Sequence, residues 1–238
     1  MVDSILPLNV TDAVVRRRGK TLLGPISLQI SQAGFTMIIG PNGSGKTTLL
    51  RAMHGLERLS GGAISWSQDQ DAARQRQAFV FQTPIMLRRS VRDNLIYPLT
   101  THGTAKTQAI SEANDWAKRI HLGDALDRPA TFLSGGEKQK LALGRALIRK
   151  PDILFLDEPC ANLDGRATRE IEAILKHAHE TGTRIVMSTH DMGQARRLAT
   201  EVFFIFKGKV HEHESAPLFF EDPKTRETKA FLSGDIVE

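Results

Sequence analysis

Short apolar runs bounded by turn residues recur along the chain, and their spacing switches between the strand and the helix period. Residues 1 to about 33 read as strands and turns. Val10, Val14, Val15, Leu22, Ile26, Leu28 and Ile30 supply apolar positions, with Gly19 and Gly24-Pro25 between them. Phe35 to Ile39 is a short apolar strand that runs into a glycine-rich stretch at Gly40, and Lys46 to about Gly55 has helical composition. Turn residues dominate 58 to 71, with a strand at Ala63 to Trp66, and Ala78 to Phe81 reads as another strand. From about Pro84 to Lys150 the pattern turns helical, with helices expected over Thr104 to Ile120 and Gly135 to Arg149. Ile153 to Leu156 reads as a strand buried on both faces. After it come a helix (Arg166 to Glu180), a strand (Arg184 to Ser188), a helix (Met192 to Ala199), a strand (Val202 to Phe206), an edge strand (Lys209 to Glu214) and a last helix (Pro223 to Ser233). Strands alternating with helices predict an α/β fold with a mainly parallel sheet covered on both faces. The expected organisation is one domain: a core lobe from 1–83 and 151–238, and an inserted helical subdomain from 84–150.

Composition narrows the classes. The 238 residues are 40% hydrophobic and 25% charged, an ordinary globular balance that excludes general disorder. A net charge of +5 would suit nucleic acid or an anionic membrane face, but the charge is scattered and reads as a solvated basic surface. The one tight run, Arg16-Arg17-Arg18 before Gly19-Lys20, reads as a hairpin turn. The single cysteine, Cys160, allows no internal disulfide and reads as a small buried apolar residue. Met1 to Pro7 lacks the basic and apolar regions of a secretory signal. No apolar run approaches the roughly 18–20 residues that span a bilayer, so a membrane role would come through a partner. His177 and His179 on a helix do not face one metal, whereas His211 and His213 on an edge strand share a face where two ligands could meet.

The chemistry begins at Gly40-Pro41-Asn42-Gly43-Ser44-Gly45-Lys46-Thr47, which matches G-x-x-x-x-G-K-[ST] between an apolar strand and a helix. Glycines let successive backbone N–H groups turn toward phosphate oxygens, and the helix that follows presents its positive end to the same anion. Lys46 is expected to reach the β- and γ-phosphates, and the Thr47 hydroxyl to ligate Mg²⁺; Thr48 completes the nucleotide-binding set. Asp157 and Glu158 stand at the carboxyl end of the strand Ile153 to Leu156, where ligands sit in parallel sheets. Asp157 would hold Mg²⁺, and Glu158 would accept a proton from an attacking water. These features predict a magnesium-dependent P-loop ATPase.

Leu133-Ser134-Gly135-Gly136-Glu137-Lys138-Gln139-Lys140 lies between the two motifs and resembles the LSGGQ-type signature of ATP-binding-cassette (ABC) ATPases. The resemblance covers essentially the whole chain. It implies a P-loop NTPase with a RecA-like core sheet, an N-terminal antiparallel β region and an inserted α-helical signature subdomain. By the same resemblance, Gln82 would touch Mg²⁺ or the attacking water, and His190 would be the switch histidine at the γ-phosphate. Ser134, Gly135 and Gly136 would bind ATP held by a second subunit of a head-to-tail homodimer, and Asp164 would cross that interface. Arg17, or a neighbouring arginine, stands where the family usually carries an aromatic residue against adenine; an arginine plane can also stack on a base. The interval from Lys46 to Ser134 is too short for the coiled-coil insertion of the DNA-repair members, and the single cassette is unlike ribosome-acting members, so no nucleic-acid partner is expected. The resemblance instead implies a stand-alone importer cassette on the cytoplasmic face of the inner membrane. It would join a separate permease and, indirectly, a substrate-binding protein. Ile85, Met86, Leu87 and Tyr97 would form an apolar groove for the permease. Pro84 to Val91 and Phe219 to Pro223 look similar to cassettes of tungstate-type oxyanion importers, with phosphate and polar amino-acid importers as alternatives.

Overall fold

The computed structural model describes residues 4–235; Met1 to Asp3, which open the stretch read as lacking a signal, and the last three residues of the expected core lobe lie outside it. Strands β1 (Leu8–Arg17) and β2 (Lys20–Ile30) pair antiparallel through a turn at Arg18-Gly19, where both residues have positive φ. β3 (Phe35–Ile39) is buried throughout and leads into α1 (Lys46–His54). β4 (Gly61–Ser65) pairs with β1, so a three-stranded antiparallel sheet forms in the order β2-β1-β4. α2 (Gln70–Gln75) and β5 (Gln77–Val80) follow. Between β5 and the next strand the described residues form α3 (Val91–Thr100), α4 (Lys106–Arg119) and α5 (Gly135–Leu147). The chain then runs through β6 (Ile153–Asp157), α6 (Gly165–Glu180), β7 (Arg184–Ser188), α7 (Met192–Leu198), β8 (Glu201–Phe206) and β9 (Lys209–Ser215). It ends with α8 (Ala216–Glu221) and α9 (Arg226–Leu232).

The main sheet has the order β5-β6-β7-β3-β8-β9, parallel except for the edge strand β9. Its interior strands are apolar on both faces because each face has its own core. In β6, Leu154 and Leu156 point into the cluster under the helices α3 to α7, while Ile153 and Phe155 point into the cluster beneath α1 and the antiparallel sheet. Alternating side chains of one short strand therefore anchor both layers.

Several expected bounds shift. The stretch read as turns up to residue 71 already contains the start of α2, which Asp69 caps by accepting from Asp71 and Ala72 N–H. Residues 84–90 are not helical; helix begins at Val91 after the Ser90 cap. The last expected helix, Pro223 to Ser233, begins only at Arg226 after the Thr225 cap, and α8 is a further helix not expected from the sequence. The expected shared face of His211 and His213 does not form: a register shift at Phe204/Ile205 turns His211 edge-on to Phe204 and Phe206, on the face opposite His213, and each ring has its own carboxylate, Glu227 at 3.0 Å and Glu201 at 3.1 Å. His213 also stacks on Phe203 at 3.8 Å. Among the described residues no group of three or more His, Cys, Asp or Glu side chains could hold a metal ion.

Candidate functional site

The parallel strands bring their carboxyl ends together, and the expected site residues follow four of them. Gly40 to Gly45 links β3 to α1. Gly40 has φ 148, and a Cβ there would lie 2.1 Å from the Ile205 carbonyl oxygen; Gly45 has φ 110 and packs against the Leu22 carbonyl. Only glycine fits these close approaches. No side chain caps α1, so its first N–H groups are left to the loop. The Lys46 amine is buried and donates to the carbonyls of Gly40 at 2.8 Å and Pro41 at 3.1 Å. Burial pulls its pKa below the ordinary lysine value, against the opposing pull of Glu158 and Asp157. The Ser44 hydroxyl is buried without a hydrogen-bond partner. A cationic amine, free helix N–H groups and an orphaned hydroxyl around a glycine-only turn together fit a phosphate chain.

Asp157, buried at the end of β6, accepts hydrogen bonds from the hydroxyls of Thr47 and Ser188 on one oxygen, each at 2.9 Å. Glu158 follows with φ 45, a left-handed backbone that its N–H bonds to Ser188 help to hold. Its carboxylate oxygen lies 3.1 Å from His190 Nδ1 and accepts from the Gln82 amide at 3.4 Å. The structure thus gathers Gln82 after β5, Asp157 and Glu158 after β6, and His190 after β7 beside the glycine loop. Ser188 was given no role from the sequence, although a hydroxyl ending a strand in front of a histidine turn was the available signal.

Ser134 caps α5 in a capping box: its hydroxyl accepts from Glu137 N–H at 3.3 Å, and the Glu137 carboxylate accepts from Ser134 N–H at 2.7 Å. That backbone bond, followed by the Ser134 hydroxyl and the Arg128 charge, outweighs desolvation and holds Glu137 below the usual carboxylate range. Gly136 lets α5 approach α6, since a Cβ there would come within 3.0 Å of Ala167 Cβ. Asp164 caps α6 through Ala167 N–H at 2.8 Å. These residues line a cavity of about 460 Å³ with Asn162 and Glu170, and no residue of the glycine loop contributes to it.

The sequence profile described as ABC transporter matches residues 23–161. The chain belongs to the ABC transporter family. It is 34% identical over 240 residues to the phosphate import ATP-binding protein PstB 2 of Natronomonas pharaonis, an alignment that covers 92% of this chain and 84% of that one. It is 34% identical over 223 residues to the arginine transport ATP-binding protein ArtP of Haemophilus influenzae, covering 87% and 91%. The tungstate uptake system ATP-binding protein TupC of Peptoclostridium acidaminophilum is 37% identical over 196 residues, covering 82% and 92%. A solved dimeric ATP-binding cassette in a post-hydrolysis state with ADP and phosphate superposes with a TM-score of 0.77 at 25% identity, covering 88% of this chain and 98% of that one. This ABC cassette binds and hydrolyses ATP.

Elsewhere on the cassette, Phe79, Phe81, Ile85, Leu87, Tyr97 and Ala146 line a groove of about 360 Å³, in which Ile85 is 72% and Tyr97 47% exposed. Met86, expected in that groove, packs against the core and lines the cleft between Gln82 and the signature turn. Asn94, fully buried, shapes the loop: its amide donates to the carbonyls of Leu87, Arg89 and Ser90, and its oxygen accepts from Leu87 N–H and Arg145. Asn94 and Arg145 were not singled out from sequence. Arg17 donates to both oxygens of Glu57 at 3.1 and 2.9 Å and remains largely exposed. Cys160 is partly buried, and burial pushes its thiol up to about 11, away from nucleophilic chemistry. Among the described residues no helix is long and apolar enough to cross a membrane.

Proposed function

We propose that this cassette is the ATP-hydrolysing subunit of an importer, working as a head-to-tail homodimer under a separate integral membrane permease at the cytoplasmic face of the inner membrane. The observation that carries this reading is the separation of the signature cavity from the glycine loop within one chain. A Ser-Gly-Gly turn at the start of α5 can meet a phosphate only if a second copy brings one. The importer relatives and the dimeric cassette of similar fold support the same assembly.

In this reading the loop from Gly40 to Thr48 holds the phosphates, with Lys46 moving from the loop carbonyls to the β- and γ-oxygens. Arg17 offers a plane to the base. The Ser134 hydroxyl and the Gly135 and Gly136 N–H groups meet the γ-phosphate of the partner's nucleotide, and Asp164 faces the partner across the interface. The oxygen donors of Thr47, Asp157 and Gln82 suit a hard cation; they would hold Mg²⁺, which supplies neutralisation of phosphate charge. Glu158 takes the proton of the attacking water. Gln82 and His190, both bonded to its carboxylate, hold that group and the water in line. The Ile85 and Tyr97 groove receives an apolar element of the permease, next to Gln82 in sequence, which links transport to hydrolysis.

The cargo we favour is an oxyanion of the tungstate type, on the likeness to the tungstate cassette. The test is co-expression with the permease and binding protein of its own operon and purification from membranes, followed by thermal-shift titration of the binding protein with tungstate, molybdate, phosphate and arginine. Stabilisation by tungstate at the lowest concentration supports the oxyanion reading, and stabilisation by arginine alone overturns it. Recovery of the cassette with ribosomes or nucleic acid, and not with the permease, sinks the importer reading.

A further inference from the structure

A cavity of about 650 Å³ opens between the helical segment and the core, well away from the glycine loop. Its floor is apolar, made by Leu147 of α5 and by Ile174 and Ala178 of α6, and the indole of Trp116 on α4 forms a wall. Its rim is cationic. The Arg119 guanidinium lies 5.4 Å from the centre of the Trp116 ring, and Lys150 and His177 stand nearby. Among the described residues neither of the two cations, Arg119 and Lys150, has a carboxylate partner, and the His177 ring has none either. The one carboxylate in the lining, Glu170, is already paired with Lys140 at 2.7 Å and Arg166 at 3.0 Å. The carbonyl ends of α4 and α6 lie close to these cations, but a helix end offers only about half a charge. An apolar floor, an aromatic wall and unpaired cations at the mouth, in a volume usual for organic ligands, describe a receptor for an amphipathic anion.

We propose that this cavity binds a small ring-bearing organic anion, with its ring against Trp116 and Ile174 and its carboxylate, sulfonate or phosphate between Arg119 and Lys150. The site also has a route to the signature turn. Glu170 lines both this cavity and the signature cavity, and its partner Lys140 stands on α5 below Ser134-Gly135-Gly136. A ligand wedged between α4, α5 and α6 fixes how α5 sits on α6, and so sets the presentation of that turn. Occupancy therefore changes the rate of ATP hydrolysis.

The probe is naphthalene-2-sulfonate, titrated by calorimetry and by Trp116 fluorescence in a Trp66→Phe background. Saturating ADP fills the glycine loop, so the sulfonate cannot report on that site. The expected result is saturable binding at one site, at least tenfold weaker for the neutral isostere naphthalene-2-sulfonamide. Affinity should fall at least tenfold in the Arg119→Gln/Lys150→Gln double variant, and binding should vanish in Ala173→Phe, which places a ring inside the cavity. Equal binding of the neutral isostere, unchanged affinity in the double variant or absence of saturable binding overturns the site; should the double variant not fold, Ala173→Phe decides. In steady-state ATP hydrolysis, saturating probe should shift the wild-type rate at least twofold and leave the Ala173→Phe rate unmoved. An unshifted wild-type rate with binding established overturns the regulatory role.

Discussion

In the proposed mechanism Glu158 concentrates the chemistry of the site in one side chain. Its carboxylate is mostly buried, its backbone is left-handed, and two partners, Gln82 and His190, aim it. Replacing it with glutamine keeps the shape but removes the proton acceptor. Glu158→Gln should retain ATP binding while hydrolysis falls by about 10²-fold or more, read by nucleotide titration beside a phosphate-release assay. Wild-type turnover in that variant would remove Glu158 from the mechanism. A second charged residue acts on stability. Glu201 meets the fully buried Arg184, with Thr36 and His213 bonded to the same carboxylate. Burial alone would raise its pKa, but the bonds from His213 and Thr36 and the Arg184 charge prevail and hold it at about 2. A depressed carboxylate gives stability that is complete above its unfolded value of about 4.3 and is lost as pH falls toward 2. Glu201→Gln should therefore cost about 3 kcal/mol at pH 7, because Arg184 loses its counter-charge, and should flatten the pH dependence between about 4 and 2. Urea denaturation across that range measures both effects.

Elements in this protein are set as much by single polar side chains as by apolar periodicity. The loop 84–90 follows β5 without regular structure, yet Asn94 ties three of its carbonyls and one N–H to α3. Asn94→Ala removes the acceptor of Leu87 N–H and the second donor to each of the three carbonyls, which keep their backbone donors Arg89, Ala130 and residue 94 itself. It should cost about 2 kcal/mol in denaturant unfolding and speed amide exchange in 85–90 well above the rest of α3. Unchanged exchange there would mean that the loop is held by its apolar contacts instead. This balance also decides what the sequence discloses. β3, β6, β7 and β8 were readable because runs such as Ile153 to Leu156 are apolar on both faces and end at chemistry. The glycine loop, Asp157, Glu158 and the Ser-Gly-Gly turn were readable because fixed spacing carries their geometry. α2 was hidden because a single buried residue, Ala73, and a cap at Asp69 define it. The inward turn of Met86 and the hub at Asn94 were hidden because they depend on where α3 and α5 sit relative to one another, which no local pattern records. The Arg17–Glu57 pair is likewise a long-range contact between a hairpin and the loop after α1.

At the scale of the molecule, the glycine loop contributes no residue to the cavity that the signature turn lines. Four strand ends of the main sheet gather Lys46, Gln82, Asp157, Glu158 and His190, while the signature turn opens at the start of α5 on a cavity of its own. On the proposed reading, a single chain carries one phosphate-holding half and one phosphate-capping half. If head-to-tail pairing joins them, damage should complement between chains. Lys46→Ala disables the loop of its own chain and leaves its signature turn intact. Ser134→Arg disables the turn and leaves the loop. In a mixed pair, one composite site combines both lesions and the other combines both intact halves. Each variant alone should hydrolyse ATP at or near background, and mixing them should restore activity in proportion to the mixed pairs formed. Were each loop served by its own chain's signature turn, no pairing could repair either lesion, and the mixture would stay as inactive as its components.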